Sequence, residues 1–194
     1  MTGRQDDVYR YHGLLIVLHW LLALGLTGTL AFGFLVMAPT ANTDLRKIDM
    51  LRLHMAGGML LFALMLMRLI VRLVTRHPPL ATSGHAGLDR LARLVHWTFY
   101  GLMLLMATTG LATAVLAKLN EIVFAGSGAP LPADLSVFPT RVAHGYIAWG
   151  FAMLIALHFG AALYHHLVRG DGLLRRMGFG SRAPSREPAS LDRI

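Results

Sequence analysis

Residues 139–169 read PTRVAHGYIAWGFAMLIALHFGAALYHHLVR. This long, mostly apolar stretch reads as a helix with two interior histidines, His144 and His158. At ~100° and ~1.5 Å per residue, a separation of 14 positions puts them within about 40° of each other around the axis and roughly 21 Å apart along it. A hydrocarbon layer is ~30 Å thick, so one imidazole lies towards each face of a membrane. Ionisable groups at such depth are costly and mark function by default.

The rest of the composition agrees with a membrane setting. The 194 residues are 55% hydrophobic and 14% charged, with mean hydropathy +0.55. Most apolar residues fall in four long blocks, which reads as one integral membrane domain. Cysteine is absent, which excludes disulfides, iron–sulfur clusters and thiolate ligation and leaves histidine or methionine for any soft or nitrogen ligand. The formal charge of +8 does not indicate nucleic acid, because the basic residues sit at the ends of apolar blocks, where membrane orientation is written. Asp6 and Asp7 ahead of the first block, and the length of that block, argue against a cleavable signal.

In chain order, residues 1–12 form a polar N-terminal segment. The spans are expected at about 13–37, 54–74, 89–117 and 139–169, within a four-helix domain covering 13–180. Pro39 and the polar run after it end the first span. A short amphipathic piece, DLRKIDMLRL, leads to the second, and RHPPLATSGHAG breaks the second from the third. Residues 118–138 are expected as a loop, and 181–194 as a disordered cytoplasmic tail. Of the 18 Lys and Arg residues, thirteen fall on the side of the termini. The other five, Arg46, Lys47, Arg52, Lys118 and Arg141, fall on the opposite side. The fold class is therefore all-α: an integral membrane four-helix bundle of up-down topology with both termini cytoplasmic.

Depth then sorts the histidines. His19 lies early in the first span and His158 late in the fourth, so both are inner. His54 opens the second span and His144 is early in the fourth, so both are outer. Two pairs follow, each drawn from two helices, as bis-histidine ligation of a haem across a bundle requires. A haem iron with two axial imidazoles has no open position and carries electrons. A lone interior histidine is as readily a hydrogen-bonded bridge between helices; four that pair by depth are not so easily explained that way. His96 is also at inner depth, as a competing ligand, an inner-haem neighbour or a quinone contact. Gly33 and Gly110 lie 14 residues after His19 and His96 and would let a porphyrin approach the backbone, although small residues also serve plain helix packing. Arg68, 14 after His54, reaches inner-haem depth and is a candidate partner for a haem propionate. Arg141 and Arg52 could serve the outer haem or form a cationic mouth for an anion.

Four segments carry a resemblance: LHWLLAL around His19, RLHMAGGMLLFALMLMRLIVRL around His54, RLVHWTFYGLMLLMATTGL around His96, and VAHGYIAWGFAMLIALHFGAALYHHLVRGDGLLRRM. In order, spacing and flanking residues the chain resembles the bacterial four-helix cytochrome b561 family over about residues 9–177. The resemblance implies two haem b groups, axial histidines at His19, His54, His144 and His158, and electron transfer with ubiquinone or another quinone. Its member of known activity is a superoxide:ubiquinone oxidoreductase, which implies superoxide as donor and the bacterial inner membrane as location. The third-span motif of the family usually has a proline ahead of its glycine. Here Ala107, Thr108 and Thr109 precede Gly110, which should straighten that span.

The reading is thus a di-haem, quinone-linked membrane electron carrier, an oxidoreductase of the superoxide oxidase type. The alternative is a cytochrome b anchor and electron conduit for a larger dehydrogenase or hydrogenase, with a protein redox partner; long docking extensions are missing. A transporter would need acidic residues inside the spans, and Asp89 stands only at a span edge.

Overall fold

A computed structural model describes residues 10–75, 86–170 and 173–178. Most of the polar N-terminal segment, the loop holding His77 and His85, and the tail 181–194 lie outside the described residues. The elements are α1 (Gly13–Ala31), continued by a π-helical segment (Phe32–Met37), α2 (Arg46–Val74), α3 (Ala86–Leu116), a short α4 (Leu119–Val123) and α5 (Pro139–Tyr164). A second π-helical segment (His165–Arg169) extends α5, and a 3-10 turn (Leu173–Met177) is the last element among the described residues. No strand occurs among the described residues. Four helices are long and apolar enough to cross a membrane: Gly13–Met37, Arg46–Val74, Asp89–Leu116 and Pro139–Arg169. The protein is an all-α membrane four-helix bundle.

Local chemistry sets the ends. The His12 side chain accepts a hydrogen bond from the Leu14 amide at 3.2 Å and caps α1. Lys118, at φ 52°, turns the chain out of α3, and Gly170, at φ 59°, turns it out of the α5 extension. Pro139 opens α5, where its missing amide hydrogen costs nothing. The amphipathic piece before His54 is not a separate lead-in: α2 begins at Arg46 and is continuous through it. The stretch 118–138 is only partly a loop, because α4 buries Leu119, Ile122 and Val123.

The bundle is apolar outside as well as inside. Leu24, Leu35 and Leu157 are each about 70% exposed or more, as suits a lipid-facing surface. Lipid tails are as apolar as leucine, so close packing and hydrogen bonds, more than water exclusion, must hold the helices together. One core cluster, Leu22, Leu61, Met65, Met103 and Phe151, fills the middle. Another, Leu51, Ala114, Ala117, Leu119 and Val123, fills the end away from the termini, the far end. α1 packs closely on α2, and α3 on α5, whereas α1 and α5 touch little. A Cβ on Gly25 would stand 2.5 Å from Leu61 Cδ2, which shows how near α1 and α2 lie. At the near end the 3-10 turn returns to α1: Trp20 Nε1 donates to the Met177 carbonyl at 3.0 Å, and Arg10 Nη1 to that of Gly178 at 3.4 Å.

Candidate functional site

Two helix pairs, α1/α2 and α3/α5, thus face one another, and imidazoles bridge them at two levels. At the near end the His19 and His158 rings stand 6.3 Å apart between centroids, at 72°. At the far end His54 and His144 stand 6.0 Å apart, at 73°. A metal bound by an imidazole nitrogen at ~2.0–2.1 Å on each side separates two such ring centroids by roughly 6 Å. Both pairs have the spacing for one iron between two nitrogens. Among the described residues no group of three or more His, Cys, Asp or Glu converges as a cage for a bare metal ion.

His96 is the third imidazole of the near end. Its ring lies 5.7 Å from that of His158, so distance alone does not separate it from His19. Helix placement does distinguish them. His96 and His158 lie within the tightly packed α3/α5 pair, whereas His19 reaches His158 across the sparse α1/α5 contact. The far-end pair has the same cross-pair character, because His54 belongs to α2 and His144 to α5. At that level α3 flanks His144 from the side: a Cβ on Gly110 would sit 3.2 Å from its Cε1. His96, on the same helix as Gly110, flanks His158 in the same manner. Its Nδ1 lies 2.8 Å from the Ala92 carbonyl, a bond within its own helix.

Arg68 is buried, at 8% exposure. Its Nη1 donates to the Tyr100 hydroxyl at 2.8 Å, and its Nε is buried without a hydrogen-bond partner. The two ion pairs found among the described residues, Arg46 with Asp44 and Arg52 with Asp49, do not involve it. A buried guanidinium with an unmet donor suits an anionic group such as a propionate. Its charge reaches both His19 and His158, which puts it at their level. Tyr100 was not singled out by sequence; a tyrosine inside a span gives no sign of its partner.

The glycines divide. A Cβ on Gly33 meets no atom within 4 Å, whereas Gly110 faces the His144 ring. Gly110 therefore makes room for an imidazole in the first instance. Arg141 acts on His54 and His144 at the far end. Arg52 is taken up otherwise: its Nε and Nη2 donate to the Val123 carbonyl at 3.0 and 2.7 Å, clamping α4. α3 runs unbroken through Ala107–Gly110, as expected where proline is absent.

This donor set, paired imidazoles with an unpaired buried cation beside one pair, fits haem. Comparison with known proteins agrees. The family model described as prokaryotic cytochrome b561 matches residues 10–180. The chain is 27% identical over 180 residues to a Yersinia pestis protein named "Probable superoxide oxidase CybB", covering 87% of this chain and 95% of that one. It is also 27% identical over 172 residues to the Escherichia coli K12 protein named "Cytochrome b561 homolog 2", covering 87% and 90%. With nearly its whole length matched, the chain belongs to the prokaryotic cytochrome b561 family of haem-binding membrane electron carriers.

Proposed function

We propose that this protein is a di-haem b oxidoreductase of the bacterial inner membrane that takes electrons from superoxide at the far end and passes them to ubiquinone. Two superoxide ions would yield two molecules of dioxygen and two electrons; these, with two protons, would convert one quinone to its quinol. The observation that carries the reading is the pair of imidazole couples, at 6.0 and 6.3 Å, spanning two helix pairs. Haem b held by two imidazoles supplies a reversible one-electron couple with no open coordination position.

The side chains have separable tasks. His54 and His144 hold the far-end group, and His19 and His158 the near-end one. Arg68, steadied by Tyr100, offers its free Nε to a propionate at the near end. Arg141 brings positive charge to the far end, where it would favour approach of a small anion. His96, beside His158, is the candidate quinone neighbour. A relative named a probable superoxide oxidase supports the choice of donor.

Purified protein tests the reading. It should show the reduced-minus-oxidised bands of six-coordinate haem b, two haems per chain, and superoxide consumption that rises on adding ubiquinone. One haem per chain would refute the two-level arrangement. Superoxide loss no faster than spontaneous dismutation would refute the donor.

A further inference from the structure

His144 has two polar partners on the neighbouring helix α3, whereas His96 bonds only within its own helix and His54 Nδ1 has no partner. Its Nδ1 lies 3.1 Å from the Met106 carbonyl oxygen and 3.2 Å from Thr109 Oγ1. A carbonyl can only accept, so Nδ1 carries the proton and Nε2 the free lone pair. Thr109 Oγ1 also lies 2.7 Å from the Leu105 carbonyl. Its single hydrogen goes there, so towards His144 it presents a lone pair. One N–H is thus shared between two acceptors on α3.

The backbone around this seat is shaped for it. A Cβ on Gly110 would come within 3.2 Å of His144 Cε1 and 3.4 Å of Nδ1, so a bare residue lets the ring reach α3. One turn away, buried Thr113 lies 2.8 Å from the Thr109 carbonyl and 2.9 Å from Thr140 Oγ1. It donates to the carbonyl and accepts from Thr140, which locks α3 and α5 in register beside His144. His54, opposite, has no such support: its Nδ1 is buried without a partner. The arrangement at His144 is one-sided.

We propose that Thr109 is a positioning residue for the far-end haem: its hydroxyl, sharing the His144 N–H with the Met106 carbonyl, fixes the tautomer and rotation of that imidazole and strengthens it as a ligand. This rests on the reading of His144 as an axial ligand. A second acceptor on the distal N–H makes the ring more electron-rich. A richer axial ligand favours the oxidised iron, so the far-end couple sits lower than it would with one acceptor.

Redox titration of purified haem-loaded T109V and T109S tests this, with H144A to show which couple belongs to the far end. T109V, similar in shape but without the hydroxyl, should keep two haems, raise the midpoint of the couple that H144A abolishes, and leave the other unmoved. T109S should behave as the parent. An unmoved far-end midpoint in T109V, or an equal shift in T109S, overturns the proposal. Should T109V lose the far-end haem, T109A is titrated in its place. Loss from both variants with retention in T109S supports positioning, and loss from T109S as well overturns it. H144A that keeps both haems overturns the ligand assignment itself, whereas H144A that loses one beside an unmoved T109V sinks Thr109 alone.

Discussion

Arg68 carries a full charge inside an apolar bundle, and charges so placed are retained only when paired or hydrogen-bonded. Tyr100 meets one of its donors, while Nε has none. If a propionate fills that place, replacing Arg68 by Gln removes a positive charge that favours the reduced form. A unit charge at ~10 Å in an effective dielectric of ~20 is worth about 1.7 kcal/mol, and ~59 mV corresponds to a tenfold change for one electron. R68Q should therefore lower the near-end midpoint by tens of millivolts and leave the far-end midpoint in place; R68K should fall between. Equal movement of both couples would count against a near-end role. At the ligands the effect is all-or-none: H158A and H144A should each lose about half the haem, measured as haem per chain. The same loss in H96A would reinstate His96 as a ligand. The pairing of the four histidines by level was legible, because a 14-residue spacing sets His144 and His158 at two depths on one face and the direction of each span places His54 and His19 at those depths. Thr109 and Tyr100 were not, since a threonine in a span usually returns its hydroxyl to its own helix, as Thr108 does to the Leu104 carbonyl at 2.6 Å.

Among the elements, the end of α1 depends on a lysine from its neighbour. Lys47 is 5% exposed, and its Nζ donates to the Met37 and Thr40 carbonyls, the latter at 2.6 Å. These carbonyls close the π-helical segment that carries Gly33, and a cation at a helix C-terminus is favoured. K47M keeps the stem but leaves two part-buried carbonyl acceptors without that donor. A cost of about 1–3 kcal/mol is expected, seen as a lower midpoint of thermal unfolding in detergent. No change would mean that water or lipid satisfies those carbonyls. Just before α2 the Arg46 side chain, with its backbone amide, holds the Asp44 carboxyl down to about 2 from its usual value near 3.8. That lowered value means the contact contributes above the unfolded pKa and fades only as pH falls through about 2, so neutral-range pH should leave this turn intact. The helices themselves were legible from long apolar blocks. Two elements were not. The amphipathic piece before His54 read as a short lead-in to the second span, yet α2 runs through it, with Lys47 and Arg52 folded back onto backbone carbonyls. Likewise α4 hid within a loop, with LNEIV as a single turn whose apolar residues show their purpose only against Leu51 and Ala117.

For the whole molecule, the arrangement of two close helix pairs facing across a looser seam has a directional consequence. Both imidazole couples lie on that seam, one near each end, so the ends of the bundle are chemically distinct. The near end has Arg68, His96 and the return of the 3-10 turn onto Trp20 and Arg10. The far end has Arg141, Lys47 and α4. From the bias of basic residues towards the termini we infer that the near end faces the cytoplasm. A fluorescent protein fused after Ile194 should then be bright in cells, while alkaline phosphatase at the same place stays inactive; the reverse pattern would invert the bundle. Orientation and donor can be read together. Superoxide, the proposed donor, is charged and crosses a hydrocarbon layer poorly, so it would meet the end exposed to the solution in which it is generated. Sealed vesicles with the far end outward should reduce haem promptly when superoxide is made outside, and vesicles of opposite orientation should not. Equal reduction in both would mean that the donor does not arrive from the far end, and Arg141 would lose its proposed part in drawing it there.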